Sequence, residues 1–203
     1  MAMNFKVFDD QLTAANYVAD LFRKQMNNNP TSIIATALGN EADAVLAELL
    51  ADVKKTPVDT SQIHIFDYDK KQAEYLNIGI VESQYHKGGK ENIMPLIKEK
   101  AKTKQNKGKL TTLFATVTGG GSIGYKDLDQ GDENGLRAAR EVVILITGHD
   151  KADIVRNLYR TEAGGRFEAA NLKTHRMVNV VLDKDAAQGL PEDMRKYFYQ
   201  MYS

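Results

Sequence analysis

Five consecutive apolar residues, Val142-Val143-Ile144-Leu145-Ile146, constrain this chain more than any other feature. The run is too short for a membrane span, and it lacks the polar alternation of a strand with one wet face. It reads as a strand buried on both faces, the type found inside parallel sheets. Similar strand-length runs occupy residues 32–37, 63–66, 110–118 and 178–182. Between them lie amphipathic segments. In residues 10–26, Leu12, Ala15, Ala19, Phe22 and Met26 recur at helical steps. Residues 41–53 place Val45, Leu46, Leu49 and Leu50 on one face, and helices are also expected over residues 92–102 and from 151 to about 159. This alternation predicts a three-layer α/β fold, a mostly parallel sheet with helices on both faces. The 203 residues suit one domain, residues 1–203.

In open parallel sheets ligands sit outside the carboxyl ends of the strands. Four loops are therefore candidates: residues 36–41, 67–71, 118–127 and 147–151. Thr147-Gly148-His149-Asp150-Lys151 joins a strand to a helix start, so free N–H groups and the helix dipole would favour an anion there. Lys151, unfavourable for the helix by itself, adds a cation beside them. Gly119-Gly120-Gly121-Ser122 would let a backbone pass close to a ligand, or would serve only as a flexible turn. Asp67 and Asp69 lie on one side if their strand continues that far; a carboxylate there could take a proton next to a carbonyl, or cap a turn.

Other chemistries find little support. There is no cysteine, hence no disulfide or thiolate, which fits a cytoplasmic location. No segment reaches the roughly 18 apolar residues of a membrane span. The 27 basic and 27 acidic residues balance, which argues against a nucleic-acid partner. His64, His86, His149 and His175 form no zinc-binding spacing, so neither metal nor cofactor is expected. There is no dinucleotide fingerprint, P-loop or nucleophile elbow. Tyr197, Phe198, Tyr199, Met201 and Tyr202 crowd the last helix-length segment. They fit either a homo-oligomer contact or a tail folded on its own core.

Taken together the loops resemble the superfamily of glucosamine-6-phosphate deaminases (isomerases) and 6-phosphogluconolactonases. The matching stretches are Ile63-His64-Ile65-Phe66-Asp67-Tyr68-Asp69, residues 142–152, and Leu172-Lys173-Thr174-His175 with residues 178–187. Ile146-Thr147-Gly148-His149-Asp150-Lys151-Ala152 is similar to the deaminase pattern Thr-Gly-His-Asn-Lys-Ala after a strand. The resemblance implies a sugar-phosphate pocket. In it Asp69 corresponds to the proton-abstracting aspartate and Lys151 to the phosphate-binding lysine, with His149 beside it. The family's first phosphate loop, Pro-Thr-Gly-Gly-Thr-Pro, reads Thr36-Ala37-Leu38-Gly39-Asn40-Glu41 here; Gly39 is kept, Asn40 follows it, and Glu41 adds a charge. The family loop Gly-x-Asp-Gly-His-Ile-Ala-Phe-Asn-Glu becomes Gly119-Gly120-Gly121-Ser122-Ile123-Gly124-Tyr125-Lys126-Asp127. The acid is replaced by Gly120 and the histidine by Ser122, which cannot exchange protons near neutrality as imidazole does. Asp127 keeps the distal acid. The implied activity is that of a glucosamine-6-phosphate isomerase type of enzyme, moving a proton next to a carbonyl. A catalytically silent sugar-phosphate binder or sensor is the alternative, and a 6-phosphogluconolactonase-like hydrolase, lacking its histidine, comes third.

Overall fold

The computed structural model describes residues 3–89, 91–124 and 135–200. Seven strands form one sheet: β1 Met3–Phe8, β2 Ile33–Ala37, β3 His64–Asp67, β4 Tyr85–Lys87, β5 Thr112–Ala115, β6 Glu141–Ile146 and β7 Val178–Asp183. Their spatial order is β1-β7-β6-β5-β2-β3-β4, and every neighbouring pair is parallel. The three-layer expectation therefore holds. Helices surround the sheet, among them α1 Gln11–Asn28, α2 Ala42–Lys55, α3 Gln72–Ile78, α4 Met94–Lys100, α5 Ala152–Arg160 and α6 Glu192–Phe198.

Each face has its own core. On one, Phe22 of α1, Leu49 of α2 and Tyr75 of α3 pack against Ile34, Ile65, Phe114, Val143 and Val181. Phe22 stacks on Phe114 with ring centroids 4.5 Å apart, seating α1 near the sheet's centre. On the other face, Ile97 of α4 and Val155 and Leu158 of α5 cover Ile33, Leu113, Ile144 and Val180. The run from Val142 to Ile146 feeds both cores, as its lack of polar residues requires.

The helix and strand limits differ from the sequence expectation where tertiary contacts decide. Leu12 is 61% exposed; α1 instead buries Ala14, Ala15, Val18, Ala19, Phe22 and Met26, with Asp10 capping its start by accepting from the Thr13 N–H. β3 stops at Asp67, so strand alternation does not place Asp69. β5 stops at Ala115, after which Val117 pairs back with Ile123.

The topology selects one crevice. From β2 the chain proceeds through β3 and β4 to one side, then crosses to β5 and continues through β6 and β7 on the other. The order reverses between β2 and β5, the position where open α/β sheets hold their ligands. The loops after β2, β3, β5 and β6 all leave from the same, carboxyl edge.

Candidate functional site

Asp67 ends β3 fully buried, and its carboxylate builds the turn that follows. Oδ1 accepts from the Asp69 N–H at 2.7 Å and from Thr36 Oγ1 at 3.1 Å. Oδ2 accepts from the Lys71 N–H at 2.6 Å and from the Tyr85 hydroxyl at 2.7 Å. Within this turn Lys70 adopts φ +60, a left-handed conformation that costs a side-chain-bearing residue about 1 kcal/mol or more. Asp67 thus secures the backbone that presents Asp69.

Asp69 reaches across to the loop after β2. Its Oδ2 accepts from the Leu38 N–H and its Oδ1 from the Gly39 N–H, both at 2.8 Å. Burial pushes its proton affinity up to about 6, outweighing those two hydrogen bonds; the Asp67 charge adds to the rise and Lys71 opposes it. A carboxylate poised near neutrality can take up and release protons under ordinary conditions.

Gly39 and Asn40 lie exposed in the short 3-10 turn Gly39–Glu41. Gly39 takes φ +57, which favours glycine, and this conformation turns its N–H to Asp69. Opposite, the loop after β5 folds into a tight hairpin. The Thr118 N–H donates to the Ser122 carbonyl at 2.8 Å, and the Gly121 N–H donates to the Thr118 carbonyl at 2.9 Å. Gly119 and Gly120 are its exposed tip. The Ser122 hydroxyl donates to Glu168 at 3.2 Å, so this side chain is engaged with a carboxylate from another loop. Gly124 presses this loop onto β2: a Cβ there would lie 2.2 Å from the Ala37 carbonyl oxygen. Asp127 lies outside the described residues.

The loop after β6 corrects one expectation. Two of its N–H groups, those of Thr147 and Gly148, are not free; the chain's own carboxylates hold them. Glu41, only 6% exposed, accepts from the Thr147 N–H at 3.2 Å and from Thr147 Oγ1 at 2.7 Å. Asp183, at the end of β7, accepts from the Gly148 N–H with both oxygens at 3.1 Å. Burial raises the proton affinity of both acids. Glu41 therefore ties the loop after β2 to the loop after β6. His149 is exposed, and Lys151 is half-buried with Nζ 3.4 Å from Asp150 Oδ2. An ion pair at a solvent edge is worth little and is easily exchanged for a ligand oxyanion.

The carboxyl edge thus brings Asp69, Gly39, Asn40, residues 119–122, His149 and Lys151 onto one side of the sheet. The ends of β3 and β6 are three strand spacings apart, roughly 14 Å, with the 38–41 loop in contact with the residues following both. The other histidines lie elsewhere. His64 Nδ1 and His86 Nε2 meet at 2.9 Å on the side of β3 and β4, with burial holding His86 down to about 4. His175 precedes β7 and accepts from the Met177 N–H at 3.0 Å, at the opposite edge. Glu168 had no sequence signal beyond being an acid. Asp183 could have been found from its place at the end of a predicted strand. Among the described residues no group of three or more His, Cys, Asp or Glu side chains is placed to hold a metal, and no helix is long and apolar enough to cross a membrane.

No family model matches the sequence, and no curated protein matches it either. Solved structures do. The chain superposes on a monomeric glucosamine-6-phosphate deaminase, described as a missing link of the NagB superfamily, with TM-score 0.73 and 14% identity over 92% of this chain and 100% of that one. A structure named devB protein gives 0.74 and 16%, covering 93% and 100%. The 6-phosphogluconolactonase of Trypanosoma brucei gives 0.67 and 11%, covering 93% and 98%. This chain has the deaminase–lactonase fold. The match spans nearly the whole of each chain, so the overall architecture is shared. At such identities the side chains of the crevice are this chain's own.

Proposed function

We propose that the chain binds a phosphorylated sugar across its carboxyl-edge crevice and that Asp69 moves a proton between adjacent substrate carbons, as in a glucosamine-6-phosphate isomerase. The observation that carries this reading is the setting of Asp69. It is half-buried beside the topological switch point, fixed by two backbone donors, and poised near pH 6. Its carboxylate would take a proton from the carbon next to a carbonyl, leaving an enediol-type intermediate, and return it to the neighbouring carbon. Lys151 would meet the phosphate. Because Glu41 and Asp183 already hold the N–H groups of Thr147 and Gly148, phosphate binding would rest on the lysine more than on the backbone. An open-chain substrate needs no ring-opening imidazole, which suits Ser122.

The test is solvent deuterium incorporation, followed by NMR, at C2 of glucosamine 6-phosphate and at C1 of fructose 6-phosphate and ribulose 5-phosphate. Exchange should rise with pH through about 6 and then level, because the base is the deprotonated form. It should vanish in Asp69→Asn while ligand binding persists. Binding without exchange in the wild type refutes the enzyme reading.

The Ser122–Glu168 hydrogen bond favours a second reading, a silent sugar-phosphate binder. A hydroxyl already donating to a carboxylate offers a ligand little proton chemistry. Wild-type binding without exchange is its expected result.

A further inference from the structure

A cavity of about 540 Å³ opens at the carboxyl ends of β1 and β7, away from the crevice between β2 and β5. Its volume is that of a small-molecule site. Val7 and Ala187 supply apolar lining, and Tyr199 supplies an aromatic wall. That wall is fixed: residue 199 pairs with Val7, and the Gln200 N–H donates to the Val7 carbonyl at 2.8 Å. The Tyr199 hydroxyl donates to Asp9 at 2.8 Å.

The charged lining is unequal. Lys184, Arg195 and Lys196 face one lining carboxylate, Glu192. Glu192 is committed to Lys196 at 2.7 Å, and Lys184 is paired with Asp9 outside the lining while its ammonium lies 4.8 Å from the Tyr199 ring centre. Arg195 is only half satisfied. One guanidinium nitrogen donates to Gln188, but Nε is buried with no hydrogen-bond partner among the described residues. A buried N–H without an acceptor is costly, and the guanidinium fork matches a carboxylate or phosphate through two parallel bonds.

We infer that this cavity is a second ligand site, for a small organic anion whose carboxylate or phosphate group pairs with Arg195 and Lys184 and whose carbon body lies against Val7, Ala187 and Tyr199. The inference is independent of the function proposed for the crevice and shares no residue with it. The site does adjoin the crevice's support. Ala187 belongs to the turn Ala186–Gly189, whose first N–H donates to Asp183, the carboxylate that also holds Gly148. At the turn's other end a Cβ on Gly189 would lie 2.0 Å from the Ala152 carbonyl oxygen, so the turn sits directly on the start of α5.

The experiment is a 15N–1H NMR titration of the whole chain with inorganic phosphate, succinate and glycerol 3-phosphate. At least one probe should produce saturable shifts in the amides of residues 184–188 and 195–199. A response to succinate alone assigns the site to carboxylates; a response to glycerol 3-phosphate alone assigns it to phosphates. Arg195→Gln and Lys184→Gln should each weaken that binding about tenfold or more. Lys151→Ala, which addresses the crevice, should leave it unchanged. The absence of saturable shifts with all three probes overturns the inference. So does an affinity that neither Arg195→Gln nor Lys184→Gln alters, each variant being checked for native circular dichroism.

Discussion

The elevated proton affinity of Asp69 makes a stability prediction that needs no substrate. Between the ordinary value of 3.8 and the folded value of about 6, the native chain keeps a proton that the unfolded chain has released. Stability therefore falls as pH rises through this window and levels above it. That rise corresponds to about 3 kcal/mol. Asp69 is not fully enclosed, and solvent screening at its open side brings the expected figure nearer to about 2 kcal/mol. Asp69→Asn abolishes this titration while leaving the other acids in place. The wild type should therefore lose about 2–3 kcal/mol relative to the variant between about pH 4 and pH 7. With no tryptophan in the chain, urea unfolding is best followed by far-ultraviolet circular dichroism. A stability difference that stays constant over that range, or grows in favour of the wild type, would refute the electrostatic account of Asp69. It would also remove the main support for its proposed role as a base.

Two further substitutions probe the crevice walls. Gly124→Ala places a Cβ 2.2 Å from the Ala37 carbonyl oxygen at a left-handed φ of +54 and should destabilise the fold by about 2–4 kcal/mol in urea titrations; a neutral result would mean the loop after β5 does not press on β2. Glu41→Ala leaves the N–H and hydroxyl of Thr147 without their acceptor and should cost about 1–3 kcal/mol, whereas Glu41→Gln keeps an acceptor, sheds a buried charge and should stay within about 1 kcal/mol of the wild type near pH 8. Equal losses in the two Glu41 variants would show that the charge, not the hydrogen bonding, joins the two loops.

Much of the sheet is legible in the sequence, for a physical reason. β2, β3, β5, β6 and β7 are buried on both faces and must be nearly all apolar, so their runs stand out. The edge strands are harder. β4 is only Tyr85–Lys87, and its side chains are mostly partly exposed. β1 includes exposed Asn4 and half-buried Lys6 between Phe5 and Val7, which dilutes its hydrophobic signal. α3 and α6 have seven residues each, too few for periodicity to separate helix from loop. The last aromatics show how contact overrides pattern. Phe198 packs on Phe5 at 5.5 Å and Tyr199 is paired with Val7, while Tyr197 stays 77% exposed. Phe198 and Tyr199 thus close the β1 edge of their own sheet, while Tyr197 faces outward. Met201 and Tyr202 lie outside the described residues.

The site is legible in a different way. Sequence position alone assigns Asp69 and Lys151 to the correct edge, because parallel strands deliver every following loop to the same side. It cannot say which donors are still available. A strand–glycine–helix junction has unpaired N–H groups whatever its function, and they must be satisfied by ligand, water or protein. Here Glu41 and Asp183 satisfy those of Thr147 and Gly148, although both are remote in sequence, Asp183 lying at the far end of the next strand, β7. Asp69 does the same for Leu38 and Gly39, yet it differs from the other two. It stands beside the switch point, on a turn held in a left-handed backbone by a neighbouring acid, and its proton affinity is raised to a value where both protonation states are populated near neutrality. A carboxylate needed only as an acceptor gains nothing from that elevation, since protonation weakens both bonds it accepts. Burial raises Glu41 and Asp183 as well, so it is the place of Asp69 beside the switch point, together with its rise to about 6, that makes it, rather than the equally well-bonded Asp183, the residue on which the proposed chemistry rests.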